Sequence, residues 1–409
     1  MISSSDRAVL RELAKRVAEH ASSDRMAALA DRWRRHNGLE RTGPLVVVWP
    51  EGSWDEVLPP QALRCEEPLA RSWEADLRRR IVHAEFLQDD TPVTSVFRVH
   101  WVWSDSGYGV EVPREQGDSR GSYTWEPPFD SFRGIPEGLS PRRVFVDEEA
   151  TSRLADLARE VFDGLLDVEI GGSFWWTLGL TWRAIDLVGL EGLMLGMLDD
   201  PEGVHRLMAW LRDEHAQFLD QLEQGGWLSP NTADHPIASG GYGYTDDIVP
   251  PVEGQTVTCS RLWGFAESQE TVGVSPAMFA EFVLPYQVPL LERFGLNCYG
   301  CCEPVDQRWE FLREVPRLRR VSVSPWSDQR FMAEALEGRY VFSRKPNPSL
   351  VCVGFEEDAI RRDLRETLEA AGDCVLEIIL KDTHTVQGDP SRLSRWVQLA
   401  REEIARAGL

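Results

Sequence analysis

The stretch Val375-Leu376-Glu377-Ile378-Ile379-Leu380 runs directly into Lys381-Asp382-Thr383-His384 and then into an amphipathic, charge-rich segment, Ser391–Ala407. Six almost uniformly apolar residues read as a strand buried on both faces, and the segment after them as the helix that covers it. Working back along the chain, the same unit recurs four times. Strand Ser260–Ala266 precedes helix Pro276–Phe294, and strand Leu296–Cys301 precedes helix Val305–Glu314. Strand Arg320–Ser324 precedes helix Gln329–Leu336, and strand Tyr340–Ser343 precedes helix Glu356–Ala371. Strand–helix units in series predict a parallel sheet. No Gly-x-Gly-x-x-Gly fingerprint is present, which weighs against a dinucleotide-binding fold. The expected architecture is an α/β, (β/α)8 TIM barrel, with an open doubly wound sheet as the alternative.

The first part of the chain reads differently. Charged helices over Ala8–Ala21 and Asp24–Asn37 lead into an apolar strand, Leu45–Trp49, and a third charged helix covers Glu67–Glu85. Val93–Trp103 alternates apolar and polar residues as a half-buried strand does, with Gly107–Val112 as its expected partner. Glu126–Pro141 is rich in Pro and Gly and predicts a loop. Helix Glu148–Leu165 then precedes an apolar run, Phe174–Leu178, and helices over Ala184–Leu198 and Pro201–Gln224. The expected division is an α+β extension over residues 1–145, including the start of the barrel, and the main barrel body over 146–409.

Acidic residues outnumber basic ones, 67 Asp+Glu against 44 Lys+Arg, giving a net charge of −23. That balance opposes nucleic-acid binding and repels acidic membrane surfaces. The N-terminus carries charges where a signal peptide has its apolar core, and no run of about 18 uncharged apolar residues follows. Seven cysteines, three of them between Cys298 and Cys302, suit a reducing cytoplasm and a thiol or metal site better than a disulfide framework. His20, His36, His83, His205 and His215 fall on charged helices and are expected in solvent.

In a barrel, chemistry belongs at the C-terminal ends of the strands. Those ends carry Glu267, then Cys301-Cys302-Glu303, Trp326, Arg344-Lys345, and Lys381-Asp382 with His384. Thiolates with imidazole and carboxylate suit tetrahedral Zn²⁺, so Cys301, Cys302, Glu303 and His384 are the candidate ligands. Neighbouring residues on a strand point to opposite faces, and the break that lets both sulfurs reach one ion comes from Gly300 and Pro304. The other reading of the pair is a buried small residue beside a free thiol. Glu267 ends an apolar strand, where a carboxylate needs a partner or a task as ligand or general base. Glu303 equally suits the start of the helix after Pro304. Lys345 and Lys381, joined by Arg344, suit a carboxylate- or phosphate-bearing substrate, and Asp382 is positioned to neutralise Lys381. Gly240, Gly241, Tyr242 and Tyr244 form a glycine–tyrosine run able to approach and stack on a cofactor, with Trp326 as a further stacking surface.

Through Tyr299-Gly300-Cys301-Cys302-Glu303-Pro304, Leu318–Trp326, Tyr340–Pro348 and Leu380–Thr385, the chain resembles the uroporphyrinogen decarboxylase-like superfamily. The resemblance is to divergent members related to corrinoid-dependent methyltransferases. It implies a (β/α)8 barrel, a zinc ion, and methyl transfer between a small substrate and a corrinoid (cobalamin), the corrinoid being either carried by a partner protein or bound in the open barrel mouth. The Trp49–Trp54 stretch lacks the arginines that the decarboxylases carry after their first strand, and Tyr299 or Gly300 stands where the methyltransferases have a zinc-binding histidine. Two alternatives stay open: a metal-independent decarboxylase or lyase acting on a small acidic substrate, and a non-catalytic corrinoid or tetrapyrrole binder. A homodimer is compatible with all three.

Overall fold

The computed structural model describes residues 2–117, 123–252 and 254–409. Twelve strands are seen: β1 Leu45–Val48, β2 Val96–His100, β3 Trp103–Asp105, β4 Arg114–Gln116, β5 Tyr123–Trp125, β6 Val144–Val146, β7 Asp167–Gly171, β8 Trp263–Ala266, β9 Leu296–Tyr299, β10 Leu318–Val323, β11 Val341–Arg344 and β12 Val375–Leu380. Six of them form one sheet in the order β1-β12-β11-β10-β9-β8, and every pair in it is parallel. β2 and β7 form a separate parallel pair. Two small antiparallel pairs, β3 with β6 and β4 with β5, decorate the N-terminal part.

The α/β character and the parallel central sheet therefore match the sequence pattern. The predicted closed ring does not appear in the strand pairing of the described residues, and the sheet edges show why. On the free edge of β1, the Asp90 carboxylate accepts from Val46 N at 2.8 Å and Asp89 from Val48 N at 3.0 Å. On the free edge of β8, the Asn231 side chain accepts from Trp263 N and donates to its carbonyl at 2.8 and 3.1 Å. Leu178 N donates to the Phe265 carbonyl at 2.8 Å. Side chains and one loop amide satisfy backbone groups that a neighbouring strand would otherwise take.

Helices cover the outer face. Glu357–Ala371 packs beside Ser391–Ala407, which in turn lies against β1. The latter buries Leu393, Trp396, Val397, Leu399 and Ala400 on one face, at about 1.5–3 kcal/mol for each large side chain. A charged residue in place of Leu399 would break that seam. The strand ending at Leu380 and both helices Gln329–Leu336 and Ser391–Ala407 have the boundaries the periodicity predicts. Phe174–Leu178, by contrast, is not a strand. The strand comes earlier, at β7, whose Asp167-Val168-Glu169-Ile170 alternates exposed and half-buried residues. Gly107–Val112 is also irregular, and β3 pairs with β6 instead. No helix of the described residues is long and apolar enough to cross a membrane.

The inner face of the sheet is polar. Arg320, Ser343 and Glu377 project there from β10, β11 and β12 and are almost fully buried. Arg320 Nε lies 3.1 Å from Glu377 Oε1, and His36 Nε2 lies 3.2 Å from its other oxygen. Above this network a tight hairpin over 235–243 drops in, held by Ile237 N to the Gly241 carbonyl at 2.9 Å and Gly243 N to the His235 carbonyl at 3.0 Å. Gly241 has φ +80°, and a Cβ there would lie 2.8 Å from the Arg320 guanidinium carbon and 2.9 Å from Glu377 Oε1. Only glycine lets the backbone sit on the ion pair.

Candidate functional site

The site begins where β9 ends. Tyr299 is the last strand residue, and its hydroxyl donates to Gln287 at 2.7 Å. Gly300 then turns the chain with φ +92°, packed where a Cβ would meet Val305 at 3.0 Å. The turn is pinned on both sides: Ser322 Oγ donates to the Cys301 carbonyl at 3.0 Å, and Cys301 N donates to Glu303 at 2.9 Å. As a result the two sulfurs face the same space, 3.6 Å apart.

β12 supplies the other half. Lys381 Nζ lies 3.3 Å from Cys302 Sγ and 2.5 Å from Asp382 Oδ2, and that oxygen is 3.6 Å from Cys302 Sγ. The Cys301 hydrogen bond lowers the Cys302 thiol below the usual range, and the Lys381 charge adds to this against the effect of burial. Cys301 is pushed up, because its proton is engaged by Cys302 and because it is buried. Burial works to lower Lys381, but the two sulfurs and Asp382 outweigh it and hold the ammonium charged. Of the two thiols Cys302 is therefore the more readily ionised, with the Cys301 thiol and the Lys381 ammonium both facing it.

These groups open into a cavity of about 450 Å³. Its walls are Trp49, Trp175, Trp176 and Gly240, with Glu51 and Gln269 at the rim. Gly240, at φ +129°, has no room for a side chain, since a Cβ would come within 2.6 Å of Ile379. Among the described residues, one trio of donors could hold a metal ion: Glu51, Asp382 and His384, with ligand atoms all within 4.8 Å of one another. Burial and the neighbouring Asp382 raise the Glu51 carboxyl above its ordinary range.

In fold, the chain is similar to a methyltransferase from Methanosarcina mazei. The two share 13% sequence identity with a TM-score of 0.52, over 92% of this chain and 99% of that one. No family model matches the sequence, and none of the curated proteins does.

The structure brings together Cys301, Cys302, Lys381 and Asp382, and it places Gly240 in the same cavity wall. Other predicted residues sit elsewhere. His384 lies beyond Asp382 beside Glu51, in a different donor group from the cysteines. Glu303 is buried and engaged by the amides of Ser268 and Cys301, at 2.9 Å each, so it staples two strand ends together. Glu267 is fully buried behind the cavity, and its carboxyl is raised well above the ordinary range by burial and then by Glu270 and Glu303. Lys345 is also buried, donating to Ser343 Oγ at 2.5 Å. Burial brings its ammonium down to about 8, against the pull of Glu377.

Tyr242 and Tyr244 belong to the hydrophobic cluster under the N-terminal helices. The Tyr242 ring stacks on Trp49 at 6.0 Å. Gly241 rests on the ion pair beneath, and Trp326 is 70% exposed and outside the cavity. Of the histidines expected in solvent, His36, His83 and His215 are buried instead. Each has a carboxylate partner: Glu377, Asp89 and Glu214. Sequence reasoning passed over Glu51, Trp175 and Trp176. Glu51 follows β1 closely, so the strand-end rule applied to the N-terminal part would have found it. The two tryptophans had no such signal, because in an apolar run nothing marks which side chains face a cavity.

Proposed function

We propose that the chain is a methyltransferase of the uroporphyrinogen decarboxylase-like kind, moving a methyl group between a small substrate and a corrinoid. The observation that supports it is Cys302: a depressed thiol 3.6 Å from a second sulfur and 3.3 Å from Lys381, opening into an aromatic-walled cavity. The likeness in fold to a methyltransferase agrees with this reading. The eight parallel strands are read as a (β/α)8 barrel parted on either side of the β2–β7 pair, with the reactive groups at its C-terminal mouth.

The donor chemistry fits zinc. Two Zn–S bonds of about 2.3 Å in tetrahedral geometry separate their sulfurs by roughly 3.8 Å, close to the 3.6 Å between Cys301 and Cys302. Cys301 and Cys302 would hold the ion from one side, and Asp382, 3.6 Å from Cys302 Sγ, also belongs to the Glu51–Asp382–His384 donor trio on the other. When bound, zinc would supply Lewis acidity that keeps a thiol ionised near neutral pH.

The chain's own groups do the rest. Without the ion Cys301 shares its proton with Cys302; with it, both sulfurs would bind as thiolates and Lys381 would balance their charge. Asp382 fixes Lys381 in place, while Trp49, Trp175 and Trp176 exclude water from the reacting carbon. A corrinoid delivered by a partner protein would meet this mouth from outside.

Purified protein analysed for metal, then assayed with methylcobalamin and a small thiol as methyl acceptor (thiolate plus methylcobalamin giving thioether plus cob(I)alamin) for loss of the methyl–cobalt absorbance, tests the proposal. One zinc per chain, lost together with turnover in Cys302→Ala, is expected. Full turnover by Cys302→Ala would overturn the reading, and metal-free protein of full activity would remove the zinc from it.

A further inference from the structure

Adjacent cysteines seldom bring their sulfurs together, because successive side chains of an extended chain point to opposite faces. Here both turn to the same side. Gly300 breaks the strand, and the bonds from Ser322 Oγ to the Cys301 carbonyl and from Cys301 N to Glu303 hold the turn that follows. The sulfurs end 3.6 Å apart, in van der Waals contact. Closing them to a bond of about 2.05 Å needs a shift of roughly 1.5 Å, within reach of side-chain rotation and a small adjustment of the linking peptide.

The two thiols differ in access. Cys301 is buried and Cys302 partly exposed, and both line the thiol cavity. A small neutral oxidant entering the mouth therefore meets Cys302 first, with Cys301 directly behind it. Of the other free cysteines, Cys298 is sealed in the sheet beside Arg320, and Cys352 lies 4.0 Å from the Asp382 carbonyl.

We infer that the pair is a redox modification site: a hydroperoxide joins Cys301 and Cys302 in a vicinal disulfide, and a dithiol reverses it. The Cys302 sulfur attacks one peroxide oxygen, the O–O bond breaks, and the sulfenic acid forms with release of one water. The Cys301 sulfur then attacks the Cys302 sulfur, the S–O bond breaks, and a second water leaves. Two electrons pass from the sulfurs to the peroxide. A dithiol returns both and leaves as its own disulfide. The bond would be easily reduced. The Cys301–Cys302 peptide is trans, which fixes the two Cα atoms about 3.8 Å apart, whereas relaxed disulfides span roughly 4.4–6.8 Å. Strain of this kind raises the reduction potential and marks a labile disulfide rather than a structural one. While the bond lasts, both sulfurs are withdrawn from the cavity's chemistry. The modification needs only the thiols and the cavity, so it stands or falls apart from the methyl-transfer reading.

Full-length protein, as purified, is treated with a small excess of hydrogen peroxide at neutral pH and digested for mass spectrometry. The peptide carrying both cysteines should lose two hydrogens, with two of the seven thiols gone. Labelling of Cys302 by iodoacetamide should fall roughly tenfold or more, and dithiothreitol should restore it. In Cys301→Ser, checked by circular dichroism, the resolving thiol is gone. Cys302 should then gain two oxygens, and dithiothreitol should not recover its labelling. A disulfide between Cys302 and Cys352, sulfinic acid at Cys302 in the wild-type chain, or thiols untouched by peroxide would each overturn the inference. So would full recovery by dithiothreitol in Cys301→Ser, since another partner would then be protecting Cys302. Methyl transfer undiminished in the disulfide form would leave the modification standing and remove the thiol pair from the methyl-transfer reading.

Discussion

Two charged clusters sit one above the other in this protein, and they behave in opposite ways. The lower one, Arg320 with Glu377, His36, Ser343 and Asn37, is sealed, and its members hold one another. Asn37 donates to the carbonyls of Tyr242 and Tyr244 at 2.7 and 2.8 Å, and its own oxygen accepts from Arg320 at 2.7 Å. The upper one, Cys301, Cys302, Lys381 and Asp382, has the same ingredients of burial and charge but opens on one side into a cavity. Burial of charge alone does not mark a reactive site. The difference lies in whether the partners come wholly from the protein or leave one direction free.

The comparison can be broken from either side, and the largest effect should come from below. Arg320→Met leaves Glu377 without its main cation, and losing one partner of a buried pair costs about 3–5 kcal/mol, read as a fall in denaturation midpoint. Despite burial, Arg320 and His36 hold the Glu377 carboxyl down to about 2. A depressed carboxyl stabilises the fold above its unfolded value, and that stability is lost as pH falls toward the folded one. Wild-type protein should therefore lose this stability only between the ordinary carboxyl range and about 2. In Arg320→Met the loss should begin at higher pH, and an unchanged acid profile would show that the pair is not the main support.

Cys302→Ser should cut methyl transfer by roughly a hundredfold or more, while its melting temperature stays close to wild type. A large drop in melting temperature would mean that the upper cluster is structural after all. Gly241→Ala joins the two levels, since a methyl group there enters the ion pair and forces a left-handed backbone. A cost of about 1–3 kcal/mol is expected by chemical denaturation, and no cost would show that the hairpin sits more loosely than described. The smallest effect is kinetic. Lys381→Met should raise the Cys302 thiol and slow its alkylation by iodoacetamide at neutral pH by about tenfold, one unit being about 1.4 kcal/mol. An unchanged rate would assign the depressed thiol to Cys301 alone.

The same contrast explains what could be read from the sequence. The strand end at Lys381 was legible because a buried run of Val, Leu and Ile stops abruptly at reactive residues, and the one at Cys301 because Gly300 and Pro304 bracket the paired cysteines. Their grouping followed from parallel order alone. His36 and His215 were read wrongly because their partners, Glu377 across the sheet and Glu214 turned inward, are tertiary facts. His384 sits only two residues past Asp382, but the loop turns it toward Glu51, and no spacing rule conveys that turn. The expected closed ring failed for a similar reason. Asp89, Asp90 and Asn231 look like ordinary loop residues until they are seen hydrogen-bonding the edges of β1 and β8.

The pairing of β1 with β12, with Leu45 opposite Glu377 and Val48 opposite Leu380, carries a consequence for how the chain comes to be. β1 leaves the ribosome long before β12, its neighbour in the sheet, which is made more than three hundred residues later. Until then Asp89 and Asp90 can tend only one edge of β1, and its other edge stays open. Contacts this distant in sequence are slow to form and leave apolar strands exposed meanwhile. Synthesis halted short of residue 375 should thus yield a chain that chaperones retain, and release should coincide with the arrival of the strand that also delivers Lys381 to Cys302.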